Sequence, residues 1–360
     1  MNTFFELVRA SIGKSETLEH VPASLAEWDQ LQEVTGRHNL LAFTFPFIDR
    51  LHDEIDIPLG VYSRWAMMAE KVSSRSKFQQ ESCEKLYKNF ADNGFRTCIL
   101  KGRAAAALYP HPELRQGGDI DIWVEGDRHT VVDFLRSKFE VHKIVYHHCD
   151  VKMIKGMGVE VHFTPSWMNS FSSNRRLQQW FASQAGEQFS NFDGELGFSV
   201  PTLAFDAVYM LIHIYRHVLD EGIGLRQLLD YYYVLEHLDS AARAKVLGDI
   251  RYLKLEKFAA AVMYVLEEVF LLDESLMLCA PDESEGAFLL SEIMASGNFG
   301  KYDIRNAHSS SEGLIGHGKR KVSRGLRYLR YYPSEVLAMP LFMCWQYFWR
   351  RKNGFLYKGR

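Results

Sequence analysis

A chain of 360 residues, 47% hydrophobic and 24% charged, has the composition of an ordinary soluble globular protein with ample core and two or three structural units. Its formal net charge of −3 gives no global reason to expect nucleic-acid binding. Five scattered cysteines (Cys83, Cys98, Cys149, Cys279 and Cys344), without a Cys-x-x-Cys pair, indicate neither a disulfide framework nor a cysteine zinc site, and a reducing cytoplasm is the simpler expectation. The N-terminus lacks the basic start and long apolar core of a signal peptide, and no window reaches the roughly 18 apolar residues of a membrane span.

Residues 1–95 read as an N-terminal helical unit. Ser24-Leu25-Ala26-Glu27 has the form of a capping box. Ser63 to Phe90 runs without Gly or Pro at helix-compatible composition. Residues 96–200 read as an α/β-ordered centre. Thr97 to Leu100 is a short strand ending at Lys101-Gly102, and Ala104 to Leu108 is a helix stopped by Pro110-His111-Pro112. Asp119 to Val124 is a strand, and Asp127 to Phe139 has helical spacing of apolar residues. Lys143 to Ile154 and Val159 to Thr164 form a hairpin across Lys155-Gly156-Met157-Gly158. Residues 201–295 are strongly helical to about Leu278. Residues 296–360 read as a loop rich in Gly, Ser, Asn and His followed by a basic, aromatic tail. The fold class expected from this order is α+β: a small mixed sheet with helical units before and after it.

The most informative segment is Gly117-Gly118-Asp119-Ile120-Asp121-Ile122-Trp123-Val124. In a strand, residues i and i+2 share a face, so Asp119 and Asp121 project together while Ile120 and Ile122 point into a core. Two adjacent carboxylates repel unless a cation sits between them, and hard oxygen ligands suit Mg²⁺ together with substrate phosphates. Lys101 precedes a glycine that allows close approach of a ligand. Its ammonium can contact triphosphate oxygens or pair with a carboxylate such as Asp119. The planar fork of Arg115 suits phosphate recognition or an ion pair with a site carboxylate. Glu160 and His162 alternate with Val161 and Phe163 along their strand and share a face. His162 reads as a partner of Glu160 behind the site.

Leu100-Lys101-Gly102, Tyr109-Pro110, Arg115, Gly118-Asp119-Ile120-Asp121-Ile122, Val159-Glu160-Val161-His162 and the helical stretch from Pro201 to Asp230 together resemble a bacterial branch of uncharacterised nucleotidyltransferases. That branch lies within the superfamily that includes DNA polymerase beta. The resemblance covers about residues 40–260. Lys101-Gly102 stands where the superfamily usually has Gly-Gly or Gly-Ser, and sixteen residues separate it from Asp119. The resemblance implies a two-metal nucleotidyl transfer. Asp119, Asp121 and Glu160 would serve as catalytic and metal ligands for Mg²⁺ or Mn²⁺. Lys101, Gly102, Arg115 and Gly118 would bind the nucleotide, with an NTP as substrate. The acceptor stays open: a sugar phosphate, a small molecule, an RNA end or a protein side chain. A non-catalytic binding or assembly component on the same fold, and a toxin-like enzyme modifying tRNA, are the alternatives.

His213 and His217, at i and i+4, share a helix face but lack the Glu of an H-E-x-x-H motif. Arg226 and Asp230 read as a helix pair. From His317 to Arg360 there are eleven Lys or Arg and one acid, Glu335, which leaves net −13 for the rest. Arg324, Arg327 and Arg330 recur at i+3 as a charged stripe, and Trp345, Tyr347, Phe348 and Trp349 precede Arg350-Arg351-Lys352. This pattern suits peripheral contact with an anionic membrane or RNA, or a core-packing segment with a basic rim.

Overall fold

The structure is a computed structural model that describes residues 2–306 and 314–356. Four helices open the chain: α1 (Asn2–Ser11), α2 (Leu25–Arg37), α3 (Leu41–His52) and α4 (Leu59–Asp92). Ser24 caps α2 by accepting from the Glu27 N–H, while the Glu27 carboxylate takes the N–H of Ala23, one residue before the cap. The 34 residues of α4 span about 51 Å at 1.5 Å per residue. Its buried stripe, Val61, Trp65, Ala69, Val72, Ser76, Gln79, Cys83, Leu86 and Phe90, recurs every three or four residues. The apolar ends of this stripe pack into two different clusters. Its polar middle, Ser76 and Gln79, lies beside the cleft described below.

The centre follows with β1 (Thr97–Leu100), α5 (Gly102–Ala106), β2 (Ile120–Val124) and α6 (Arg128–Lys138), the last capped by the Asp127 carboxylate. Next come β3 (Glu140–Ile144), β4 (His148–Ile154) and β5 (Met157–His162). The five strands form one mixed sheet in the order β1-β2-β5-β4-β3, with only the β2–β5 pair parallel. Ile99, Ile120, Ile122, Val159 and Val161 pack on α6 and the end of α4. On the other face Cys98, Leu100 and Trp123 join the large helical cluster. The fold class is the expected α+β.

Two local readings are corrected. The run from Lys143 to Ile154 is two strands, because the chain reverses at Val145–His147, where the Val145 N–H bonds the His148 carbonyl. The hairpin turn is Lys155–Gly156, with Gly156 at φ 82°, so Met157 and Gly158 already belong to β5.

After α7 (Phe171–Ser190) and the small hairpin β6 (Phe192–Asp193) and β7 (Phe198–Ser199), helices α8 (Leu203–Asp220), α9 (Leu225–His237), α10 (Ser240–Leu253), α11 (Glu256–Phe270) and α12 (Glu283–Ser296) follow. They share one hydrophobic cluster with α1–α4. The expectation of a flexible loop at the start of 296–360 is corrected in the described part, and of the two readings of the tail the core-packing segment is the one its contacts fit. Helices α13 (Leu314–Tyr328) and α14 (Pro333–Lys352) fill much of that stretch, and residues 307–313 of the expected loop lie outside the described residues. Arg324 is buried: it donates to the Val218 carbonyl (2.8 Å) and sits 3.8 Å from Asp303. Arg327 pairs with Glu292 at 3.2 Å and Asp303 at 3.4 Å. Tyr328, Tyr332 and Val336 belong to the core. Trp345 and Trp349 turn toward Tyr146, and Arg128 stacks over Trp349. The stripe and the tryptophans are therefore largely spent on internal packing.

Candidate active site

The parallel β2–β5 register sets Asp121 directly beside Glu160. Asp119 precedes the first residue of β2 on the same side, exposed at the mouth. Its carbonyl accepts from Gln79 of α4 at 2.9 Å. A Cβ at Gly117 would press on the terminal amide of Gln79 and displace it from this bond. Lys101 follows β1, whose last residue, Leu100, pairs with Asp121. Lys101 itself adopts φ 51° and ψ −141°, a conformation that L side chains rarely take. That bend aims its ammonium at the Asp121 carboxylate, 3.1 Å away.

These residues line a cleft of about 510 Å³ together with Gly102, Arg115, Gly118, His213 and His217. All the expected carboxylate and nucleotide-binding positions thus face one cleft. Their partners differ from expectation. Lys101 pairs with Asp121 rather than Asp119. The Nε–Nη2 edge of the Arg115 guanidinium donates to both carboxylate oxygens of Asp230 of α9, at 2.7 and 2.8 Å, and the group is buried. Tyr109 and Arg226 also donate to Asp230, at 2.6 and 3.1 Å, which includes the expected Arg226–Asp230 pair. Arg115 therefore ties the loop before β2 to α9.

Electrostatics follow from burial and proximity. Burial opposes ionisation of Asp121, but Lys101 and His162 outweigh it and hold its carboxyl well below the usual range. His162 Nε2 lies 2.9 Å from Asp121 Oδ1 and 3.5 Å from Glu160 Oε2. Burial opposes its charge, yet those two carboxylates raise it to about 9. Burial likewise opposes the charge of Glu160, and the His162 contact brings its carboxyl below the ordinary value. Asp119 behaves oppositely. Desolvation within the cleft, then repulsion from Asp121 and Glu160, push it up to about 6 against the pull of Lys101. His213, half-buried and facing the Lys101 ammonium at 3.5 Å, is held neutral by desolvation and by that charge.

Several residues of the site carry no motif. Gln79 lies on a helix forty residues before Asp119. Asn298, Phe299 and Lys301 reach the cleft after α12. His148 meets Glu160 and His162 across β4–β5. Counting back from the Lys155–Gly156 turn pairs His148 with Phe163. An irregularity between Val151 and Ile154 shifts the register by one and pairs it with His162.

A family model described as an uncharacterised nucleotidyltransferase matches residues 24–271. No curated protein matches. Among solved structures, the chain is similar to an antigenic nucleotidyltransferase-like protein from Paracoccidioides brasiliensis, at 11% identity and a TM-score of 0.29, covering 57% of this chain and 94% of that one.

Proposed function

The chain belongs to this uncharacterised nucleotidyltransferase family, and from that premise we propose that it moves a nucleoside monophosphate from an NTP to a hydroxyl or phosphate acceptor. The observation that carries the reading is the row of Asp119, Asp121 and Glu160 facing one cleft beside the Lys101 ammonium. The donor chemistry fits a divalent ion: desolvation, then repulsion from Asp121 and Glu160, raises the Asp119 carboxyl, and a hard cation among the three would favour its ionised form. Asp119, Asp121 and Glu160 would hold Mg²⁺, or Mn²⁺ in its place, and the ion would neutralise charge on the triphosphate and the departing pyrophosphate. Lys101 contributes a fixed positive charge, half-buried beside Asp121, where it acts more strongly than a fully hydrated ammonium. His162 and Lys101 keep Asp121 ionised. Gln79 and Gly117 hold the Asp119 backbone against α4. Arg115, already paired with Asp230, shapes the cleft and orients Arg226, while Gly102 and Gly118 leave room for close approach of the nucleotide.

The test is incubation with each labelled NTP, Mg²⁺ or Mn²⁺, and a cell extract. Transfer of label by the wild type and its loss in Asp119→Asn/Asp121→Asn is the expected result. Nucleotide binding that ignores divalent metal would sink the reading. The second reading, a binding component without turnover, draws on one observation: Asp121 is already neutralised by Lys101 and His162. Binding of an NTP without label transfer to any acceptor would favour it.

For a macromolecular surface, α14 exposes Leu337, Leu341, Tyr347 and Phe348 next to Arg350, Arg351 and Lys352. This supports peripheral contact with an anionic membrane, whereas the inward turn of Arg324 and Arg327 removes support for RNA. Among the described residues no helix is long and apolar enough to cross a membrane. Cosedimentation with anionic vesicles that persists unchanged in Leu341→Ser/Phe348→Ser would reject the contact.

A further inference from the structure

The β4–β5 register sets His148 opposite His162 and Asp150 opposite Glu160 on the face that looks into the cleft. His148 Nδ1, Glu160 Oε2 and His162 Nε2 converge so that the three ligand atoms all lie within 4.8 Å of one another. Each nitrogen is 3.5 Å from Glu160 Oε2. A tetrahedral ion with bonds of about 2.0–2.1 Å spaces its ligand atoms about 3.3 Å apart, so little movement closes this set around one.

The outer ring nitrogens make the case specific. His148 Nε2 lies 3.1 Å from Asp150 Oδ1, and His162 Nδ1 lies 3.4 Å from the Thr164 carbonyl. Each outer nitrogen thus faces an acceptor and is the natural seat of the ring proton in a neutral imidazole. An ion that displaces the proton His162 Nε2 now shares with Asp121 (2.9 Å) would meet the lone pairs of both inner nitrogens beside the Glu160 carboxylate. His148 Nδ1 is buried and has no hydrogen-bond partner among the described residues. A second lobe of the cleft, about 250 Å³ and lined by His147, Trp167 and His217, opens beside the cluster and leaves room for water or substrate.

We infer that His148, Glu160 and His162 bind a borderline divalent transition ion, Zn²⁺ or one of similar preference, on the side of Glu160 away from Asp119. Imidazole ligands select such ions over Mg²⁺, which prefers an all-oxygen shell. The site is distinct from the carboxylate ion of the transfer reading and does not depend on it. Glu160 is the ligand common to both.

The test uses untagged full-length protein freed of metal with a chelator, titrated with Co²⁺ alone by visible absorption and with Zn²⁺ alone by calorimetry. One equivalent should bind, with ligand-field bands for Co²⁺. His148→Ala should weaken binding at least 100-fold. Asp150→Asn, which keeps both ring ligands but loses the acceptor behind His148, should weaken it about 10-fold or more. Asp119→Asn should leave Co²⁺ binding intact. Wild-type protein that binds Zn²⁺ no better than Mg²⁺ overturns the inference. So does unchanged affinity in His148→Ala. Where that variant does not fold, unchanged affinity in Asp150→Asn overturns it, because the carboxylate behind His148 would then play no part in holding the ion. Co²⁺ binding lost with His148 in a protein that binds no NTP would leave this site standing and remove the transfer reading.

Discussion

Asp121 accepts from two cationic groups at once, and both sit with it below the surface of the cleft. Removing one partner of a buried pair strands the other, at a cost of about 3–5 kcal/mol. Lys101 is 17% exposed and Asp121 8%, and His162 remains to hold the carboxylate. Lys101→Ala is therefore expected to lower the free energy of unfolding by about 3 kcal/mol, at the lower end of that range. Denaturant titration measures this. A loss of nucleotide affinity with stability untouched would mean instead that the ammonium serves the ligand alone. His38 gives a second residue-scale test. It is fully buried, stacks on Phe4 and accepts the Leu225 N–H at Nδ1. Burial, helped by repulsion from Arg37, lowers it to about 4. With the folded value below the unfolded one of about 6.5, its contribution is complete above pH 6.5 and is lost as pH falls toward 4. At 1.36 kcal/mol per unit this amounts to about 3 kcal/mol. His38→Asn keeps an acceptor without the titration, so its melting temperature should fall less steeply between pH 6.5 and 4. Parallel profiles for the two proteins would refute the assignment. At this scale the sequence is eloquent where chemistry and strand period coincide, as at Asp119, Asp121 and Glu160. It is silent where a partner comes from a distant element. Nothing near Arg115 announces Asp230, and nothing near Asp119 announces Gln79.

At the scale of elements, legibility followed turn chemistry. Thr97–Leu100 is bounded by Gly94 and Gly102 and was readable to the residue. The reversal between β3 and β4 passes through Val145, Tyr146 and His147, none of them a turn former, and so reads as unbroken strand. The C-terminal helices show a different limit. Counting charge makes Glu335 a lone acid in a basic tail, yet it is the anchor of α14. Its carboxylate accepts the backbone N–H groups of Asn169 (2.7 Å) and Ser170 (3.0 Å) at the start of α7, and pairs with Arg216 of α8 at 3.2 Å. Glu335→Ala should destabilise by about 3 kcal/mol, since the Asn169 and Ser170 N–H groups lose their acceptor and Arg216 is left with Asp220 as its one carboxylate partner among the described residues. It should also raise proteolysis within α14 before the rest of the chain. A variant as stable and as resistant as the wild type would show that apolar contacts alone seat the helix.

At the scale of the molecule, the expected four-part division of the chain is cut across by shared packing. Helices from before residue 95 and after residue 200 pack in one cluster, while the sheet and α6 form a second. Helix α4 contributes Val61 and Trp65 to the first and Cys83, Leu86 and Phe90 to the second. A single rod embedded in both links their melting. Neither cluster can lose its hold on α4 without exposing a face that the other depends on to keep the helix straight. Cooperativity therefore has a physical carrier here. Heating should give one transition, and a fragment confined to residues 96–200 should fail to fold, because the surface its sheet covers left with the preceding helix. Two separated transitions in the full chain would instead mean that α4 frays at its polar middle, where Gln79 holds the Asp119 backbone, and that the edge of the site is the joint along which the protein comes apart.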